Sequence, residues 1–134
     1  MVKKIAAPIL ALAGLALVAA PAVEARSKLS GQEELGKLLE GRVAGEGKSC
    51  LSTFRTDNLR IIDKTALVYR DGATLWVNVP KNADTLDDDD IIVTRVFGSQ
   101  LCKQDIVHTY ERSGFFMNGI IALGDFVPYR RAES

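Results

Sequence analysis

Two strand-like segments joined by a tight turn constrain the fold of this chain more than any other feature of its sequence. Residues 65–70 and 74–79 are rich in β-branched and aromatic side chains and flank Asp71-Gly72, a dipeptide favoured in two-residue hairpin turns. Pairing about this turn sets Val68 opposite Leu75. The pattern predicts an antiparallel β-hairpin in the middle of the chain.

Short apolar segments continue on both sides of the hairpin, separated by turn residues such as Gly98 and Gly124-Asp125. About eight short strands at such spacing are typical of an antiparallel sandwich or a small barrel. We therefore predict a mainly β fold of that kind. The further strands are expected at residues 50–54, 59–62, 91–97, 105–112, 116–123 and 126–129.

One short helix is expected before the strands. Ser30 and Glu33 match a capping box, in which the serine oxygen accepts from a first-turn amide. Leucines at positions 35, 38 and 39 then share one helical face, and Gly41 is suited to end the helix. A helix of about ten residues is marginal alone and must pack on something. We assign residues 26–48 to this helix and a loop, and residues 49–134 to the β-rich domain.

Residues 1–25 have the order of features that marks a secretory signal peptide. Lys3 and Lys4 precede an apolar run over residues 5–23, and small residues that suit signal peptidase follow. We expect cleavage after Ala25, with Ala22 as the alternative. An uncleaved membrane anchor is the competing interpretation, because the run approaches the ~20 residues of a spanning helix. Its prolines and many alanines favour the signal peptide, which predicts a periplasmic or extracellular protein with no stable membrane span after cleavage.

The chain has two cysteines, Cys50 and Cys102. Exported proteins fold in oxidising compartments, so an even cysteine count first indicates a disulfide. A catalytic thiol is the alternative, with His108 as the only histidine that could serve as its base. The wide separation of the cysteines favours a structural bridge.

The charge balance identifies no partner. The sequence has 17 basic and 17 acidic side chains and a formal net charge of zero. Nucleic-acid binding and electrostatic membrane binding both need clustered basic side chains, and the sequence has no such cluster. We therefore predict no nucleic-acid partner.

The most conspicuous polar feature is an acidic loop that contains Asp84, Asp87, Asp88, Asp89 and Asp90. Clustered carboxylates suit calcium, but the loop lacks the alternating spacing and the distant glutamate of an EF-hand. A solvated loop that also protects the apolar strand after it from edge pairing is the favoured interpretation. We predict no metal site and treat the acidic loop as a possible binding loop.

Strand alternation places Ile106, His108 and Tyr110 on one face of a strand. A metal site at His108 would need further ligands, and common catalytic and phosphate-binding motifs are absent. The sequence therefore predicts no catalytic residue and no cofactor. The larger aromatic side chains could line a binding surface, but we expect most of them in the core. They are Tyr69, Trp76, Phe115, Phe116 and Tyr129.

Several short motifs occur in a characteristic order between Cys50 and the C-terminus. They are Cys50-Leu51, the hairpin residues Tyr69 and Trp76-Val77-Asn78, a Leu-Cys-x-x-Asp motif at residues 101–105, and a Leu-Gly-x-Phe-x-Pro motif at residues 123–128. This order resembles an uncharacterised family of small exported proteobacterial proteins, classed as a domain of unknown function. The resemblance implies a small exported β domain and supplies no activity, cofactor or partner.

Many members of that family carry two further cysteines, near the positions held here by Ala83 and Ile121. The absence of both cysteines matches the loss of one whole disulfide. The resemblance thus implies that Cys50 and Cys102 form the remaining pair.

Taken together, these patterns predict an exported, non-catalytic binding or structural module of the cell envelope. Its partner is unknown and would be an envelope macromolecule bound through a sheet face or a loop. An inhibitor of an extracellular hydrolase, presenting the acidic loop, is the alternative. An enzyme that uses His108 is the second alternative.

Overall fold

The computed structural model describes Gly14 and residues 29–53 and 58–133. Apart from Gly14, the predicted signal peptide and both of its candidate cleavage sites lie outside these residues. In the part of the chain that is described, no helix is long and apolar enough to cross a membrane.

Strands dominate the fold: of the described residues, 43% are in β-structure, and one α-helix is present among them. The elements are α1 (Gly31–Leu38), β1 (Arg42–Ala44), β2 (Cys50–Ser52), β3 (Leu59–Ile62), β4 (Ala66–Asp71), β5 (Thr74–Asn78), a single 3₁₀ turn (Ala83–Thr85), β6 (Ile91–Thr94), β7 (Gln100–Cys102), β8 (Val107–Tyr110), β9 (Met117–Ile121) and β10 (Phe126–Arg131). They form a main sheet of order β1-β10-β5-β4-β3, a two-stranded sheet β2-β7, and a three-stranded sheet β6-β8-β9, all antiparallel. The predicted mainly β fold is confirmed, in a sandwich-like form without a closed barrel among the described residues.

The predicted helix is confirmed as α1. Ser30 is its N-cap, and its side-chain oxygen accepts a hydrogen bond of 3.3 Å from the backbone N–H of Glu33. The three leucines of its apolar face pack on the main sheet. This packing provides the support that so short a helix needs.

The central hairpin is confirmed, but its register differs from the prediction. Val68 lies opposite Val77 rather than Leu75, and Asp71 pairs with Thr74. The turn therefore consists of Gly72 and Ala73, of which only Gly72 has a positive φ, at 56°. Glycine in the first turn position is the type II′ arrangement, whereas a type I′ turn at Asp71-Gly72 would force Asp71 into the left-handed region as well. Because Gly72 adopts a positive φ freely, the turn is centred one residue later than predicted.

Two strands were not predicted, and both are three residues long. β1 lies in the segment that was expected to be helix and loop. It pairs with β10 and forms the edge strand of the main sheet. β7 pairs with β2 just after Gly98. Strands this short carry no readable alternation, and backbone pairing with a neighbour holds them in place. The predicted strand over residues 91–97 correspondingly ends at Thr94.

The main sheet is covered on both faces. One face packs on α1 through a core of Ile62, Ala66, Val68, Leu75 and Val77. The other face contributes Leu67, Tyr69, Trp76 and Phe126 to a second core, to which the smaller sheets contribute Leu51, Leu101, Val107 and Ile121. The three-stranded sheet therefore has one buried face and one face left to solvent.

Candidate functional site

The two cysteines form a disulfide between directly paired positions of β2 and β7. Cys50 lies opposite Cys102, with an S–S distance of 2.04 Å and a Cα–Cα distance of 4.0 Å. No free thiol is present among the described residues. A disulfide sulfur cannot act as a nucleophilic thiolate, so the pair is structural in this form of the protein.

Asn78 joins two of the sequence motifs through its side chain. It is fully buried at the end of β5, donates from Nδ2 to the carbonyl of Gly124 at 2.8 Å, and accepts at Oδ1 from the Gly124 N–H at 2.9 Å. Gly124 must approach closely here, because a Cβ at this position would lie 2.5 Å from the Val79 carbonyl oxygen. Both residues therefore have a structural role in linking β5 to the segment before β10.

The Leu-Cys-x-x-Asp motif closes a turn after β7. The Asp105 carboxylate accepts from the Cys102 N–H at 2.7 Å, and the Asp105 N–H donates to the Cys102 carbonyl at 2.9 Å. Tyr69 and Phe126, from two other motifs, pack edge-to-face with ring centroids 6.0 Å apart. Burial raises the pKa of Tyr69 well above its usual value, which keeps the phenol neutral. These residues of the short sequence motifs thus stabilise the fold.

The acidic loop is partly fixed by internal contacts. Asp90 is buried and accepts from Asn118 Nδ2 at 3.0 Å, while Asn118 Oδ1 accepts from the Thr109 hydroxyl. The Asp89 N–H donates to the Asp87 carboxylate at 2.9 Å. These contacts hold one end of the loop against the hairpin of β8 and β9, so Asp90 is a structural residue and not a free binding group.

Asp63 lies with two carboxylates of the acidic loop, which sequence reasoning did not anticipate. The oxygens of Asp63, Asp87 and Asp88 lie within 4.8 Å of one another. A backbone hydrogen bond of 3.0 Å from the Lys64 N–H to the Leu86 carbonyl brings the two segments together. Asp84 belongs to the 3₁₀ turn instead. Exposed carboxylates group in this way without a metal, so no metal site is assigned.

His108 lies on β8, the central strand of the three-stranded sheet. It pairs with Val93 on β6 and with Ile120 on β9, whereas its neighbours Val107 and Thr109 are buried. Its imidazole makes no hydrogen bond with any other described residue. A general base is normally oriented by a third group, and His108 has none in this part of the chain.

The solvent-facing side of this sheet carries five of the ten exposed large apolar side chains in the described residues, and we call it the outer face. Its members are 46–83% exposed: Val93, Phe97, Ile106, Met117 and Ile120. The other exposed large apolar side chains in the described residues are Leu29, Val43, Val79, Phe115 and Phe116. Scattered exposed side chains are ordinary, but a contiguous set marks an interaction surface.

A groove of about 470 Å³ runs along β8 on the outer face. Val93, Ile106, His108 and Tyr110 line it along the strands, and Phe97 stands beside them. Arg95 and Asp105 also line the groove, so its two permanent charges are of opposite sign. The groove is thus mainly apolar, with no net charge from these two groups.

The hairpin between β8 and β9 ends in an aromatic tip, Phe115 and Phe116, beyond Tyr110. Both residues are more than 70% exposed. Phe115 has a φ of 57°, a left-handed conformation that is costly for a bulky residue. It closes the hairpin loop, because its N–H donates to the Glu111 carbonyl at 2.9 Å, and a left-handed residue commonly ends such loops.

The aromatic residues therefore divide between core and surface. Tyr69 and Trp76 are buried and Tyr129 packs partly buried against the core, so most of the five lie in the core, as expected, whereas Phe115 and Phe116 are exposed. A signal for the outer face was present, because alternation puts Ile106, His108 and Tyr110 on one side of β8. The sequence did not reveal that this side faces solvent.

No protein-family model matches the chain, and no curated protein or solved structure is significantly similar to it. The resemblance drawn from the short motifs thus stays a prediction, and the geometry described above is the basis for assigning a function.

Proposed function

We propose that this chain is an exported, non-catalytic binding module of the cell envelope and that it binds a protein partner through the outer face. The observation that carries the proposal is the concentration of exposed apolar side chains on one uncovered sheet face. A large, fully exposed residue presents roughly 200 Å². From their exposed fractions, the five residues together present about 600 Å², the upper end of the roughly 300–600 Å² of the largest patch on a typical monomer, a patch that is often functional.

The extent of the patch favours a protein over a small ligand. The groove covers only the β6 and β8 side of the outer face, and Met117 and Ile120 on β9 lie outside its lining. A small molecule in the groove would leave these side chains in water. A protein surface can cover all of them together.

The disulfide supports an oxidising location. Cross-links of this kind persist in the periplasm and outside the cell and are rare in the cytosol. Together with the order of features in residues 1–25, this supports export. Closing a loop of about 50 residues stabilises a domain by roughly 4 kcal/mol in the chain-entropy model, a large share of the stability of a small domain.

Binding is favoured over the two alternatives. An enzyme that uses His108 would need an orienting partner, and none contacts its imidazole in the described residues. An inhibitor that inserts the acidic loop could not present all five carboxylates, because Asp90 is buried and bonded to Asn118 while the other four are exposed.

A matched pair of valine substitutions tests the proposal. Val93→Asp places a charge in the middle of the outer face, and Val43→Asp does the same on β1, where the valine is also exposed. Each protein is incubated with an envelope extract of the source organism, and bound proteins are quantified by mass spectrometry. We expect a partner that Val93→Asp loses and Val43→Asp retains. Equal retention by both variants would contradict the proposal.

A further inference from the structure

We propose that the open edge of β3 is a second binding site, separate from the outer face, and that it takes an extended, basic peptide segment of a partner protein as an added β-strand. β3 is the last strand of the main sheet and pairs on one side only, with β4. An open edge presents N–H and C=O groups to which another strand can bond. Strand addition is a recurrent mode of peptide recognition, in which main-chain hydrogen bonds give the affinity.

The register identifies the backbone groups that face outward from this edge. The Arg70 N–H donates to the Asn58 carbonyl at 3.0 Å, so these two residues are a hydrogen-bonded pair. In an antiparallel ladder such pairs alternate with non-bonded pairs, and the bonds of β3 to β4 therefore come from every second residue after Asn58. The N–H and C=O groups of Leu59 and Ile61 point away from β4. In the described residues these four groups have no backbone hydrogen bond.

A groove of about 700 Å³ lies between β3 and the start of β6, and we call it the edge groove. Leu59, Ile61, Ile91 and Ile92 line it with half-buried apolar side chains. All of these except Ile91 also pack against the core between the sheets, so the floor of the edge groove continues that core. A strand added to β3 would lay every second side chain on this floor. Those side chains should be apolar.

The charges around the edge groove favour a basic segment. The lining of the edge groove and the carboxylate cluster beside it contain two guanidinium groups, from Arg60 and Arg112, and five carboxylates. The carboxylates are those of Glu34, Asp63, Asp87, Asp88 and Asp90. Both guanidinium groups already contact a carboxylate, Arg60 that of Glu34 and Arg112 that of Asp89 at 3.6 Å. An acidic segment would thus be repelled, and a basic one attracted.

The excess of carboxylates also sets the direction of the charge in the segment. Asp63 directly follows β3, and its carboxylate lies within 4.8 Å of those of Asp87 and Asp88. Asp88 belongs to the lining of the edge groove as well. A lysine or arginine of the added strand is therefore expected at the end that lies beside Asp63.

Amide hydrogen exchange followed by NMR tests whether the edge is open in the protein purified from expressing cells. The N–H groups of Leu59 and Ile61 should exchange about tenfold or more faster than those of Arg60 and Ile62, which bond β4. Equal protection of all four amides would show that the edge is already covered and would overturn the proposal. Protection of Leu59 and Ile61 that appears as the protein concentration rises would assign the edge to a second copy and would also overturn it.

Displayed random peptides of about ten residues, the length of a long strand, supply the probe for binding. We expect the peptides enriched on the protein to alternate apolar and polar residues and to carry a lysine or arginine near one end. A synthetic peptide of the enriched sequence should slow the exchange of the Leu59 and Ile61 amides about tenfold or more. The absence of any enriched peptide, or one that leaves both amides unprotected, overturns strand addition.

A matched pair of substitutions in the acidic loop tests the charge of the segment. Asp88→Asn removes a carboxylate of the edge groove, whereas Asp84→Asn makes the same change at an exposed position outside its lining and outside the cluster. The dissociation constant of the enriched peptide should rise about threefold or more with Asp88→Asn and should stay unchanged with Asp84→Asn. Equal dissociation constants for the two variants would overturn the assignment of a basic segment.

Discussion

Replacing Asn78 with alanine should destabilise the protein far more than replacing Asn82, although the two side chains make the same kind of contact. Asn78 bonds both backbone groups of Gly124, at 2.8 and 2.9 Å. Asn82 bonds the carbonyl of Ile120 at 2.8 Å and the N–H of Ala122 at 2.9 Å. The difference is burial, because Asn78 is 0% exposed and Asn82 lies near the surface.

The size of the effect follows from what replaces the lost hydrogen bonds. In Asn78→Ala the two groups of Gly124 are left without a partner in the interior, at about 1–3 kcal/mol each. In Asn82→Ala water can take over, and the cost is about 0.5–1.5 kcal/mol in total. A difference near 3 kcal/mol corresponds to roughly 12–24 °C in Tm for a domain of this size.

Urea unfolding monitored by the fluorescence of Trp76, the only tryptophan and 1% exposed in the native state, measures both variants on one scale. We expect a much lower midpoint for Asn78→Ala than for Asn82→Ala, with similar slopes. Equal losses of unfolding free energy would refute the argument that burial of the Asn78–Gly124 pair decides its contribution.

Three further outcomes are expected. Replacing Cys50 and Cys102 together with alanine should lower the unfolding free energy by up to about 4 kcal/mol, and no change in the urea midpoint would show that the bridge adds nothing. Phe115→Gly should raise the unfolding free energy by about 0.5–1 kcal/mol, because relief of the left-handed strain exceeds the added chain entropy of glycine; a lower Tm would contradict the strain argument. Cysteines placed at Ala83 and Ile121, which contribute to the same core, should oxidise to a second disulfide, detected as a mass loss of about 2 Da per bridge before reduction; two alkylatable thiols would count against the resemblance.

Local patterns predicted most of the secondary structure. The capping box gave the start of α1, and alternation along residues 105–111 gave the two faces of β8. Both depend only on neighbouring residues, which the sequence displays directly. The hairpin register was wrong because its turn had two possible centres one residue apart, and the choice depends on the backbone conformation of Gly72.

The candidate site could be predicted only in part. The sequence shows that Ile106, His108 and Tyr110 share a side of one strand, but whether that side is buried depends on how the sheets stack. The acidic loop was predicted as a possible binding loop because its charges are adjacent in sequence. In the structure Asp90 instead bonds Asn118 and supports the hairpin of β8 and β9. Long-range packing, which sequence patterns do not display, decided both outcomes.

Photocrosslinking in living cells tests the central claim, that the outer face is the binding surface, most directly. A benzoylphenylalanine is placed at Ile120 on the outer face or at Val43 on β1, and adducts are identified by mass spectrometry after irradiation. The account predicts strong adducts from position 120, to a second copy or another protein, and few from position 43. Adducts at position 43 with none at position 120 would contradict it.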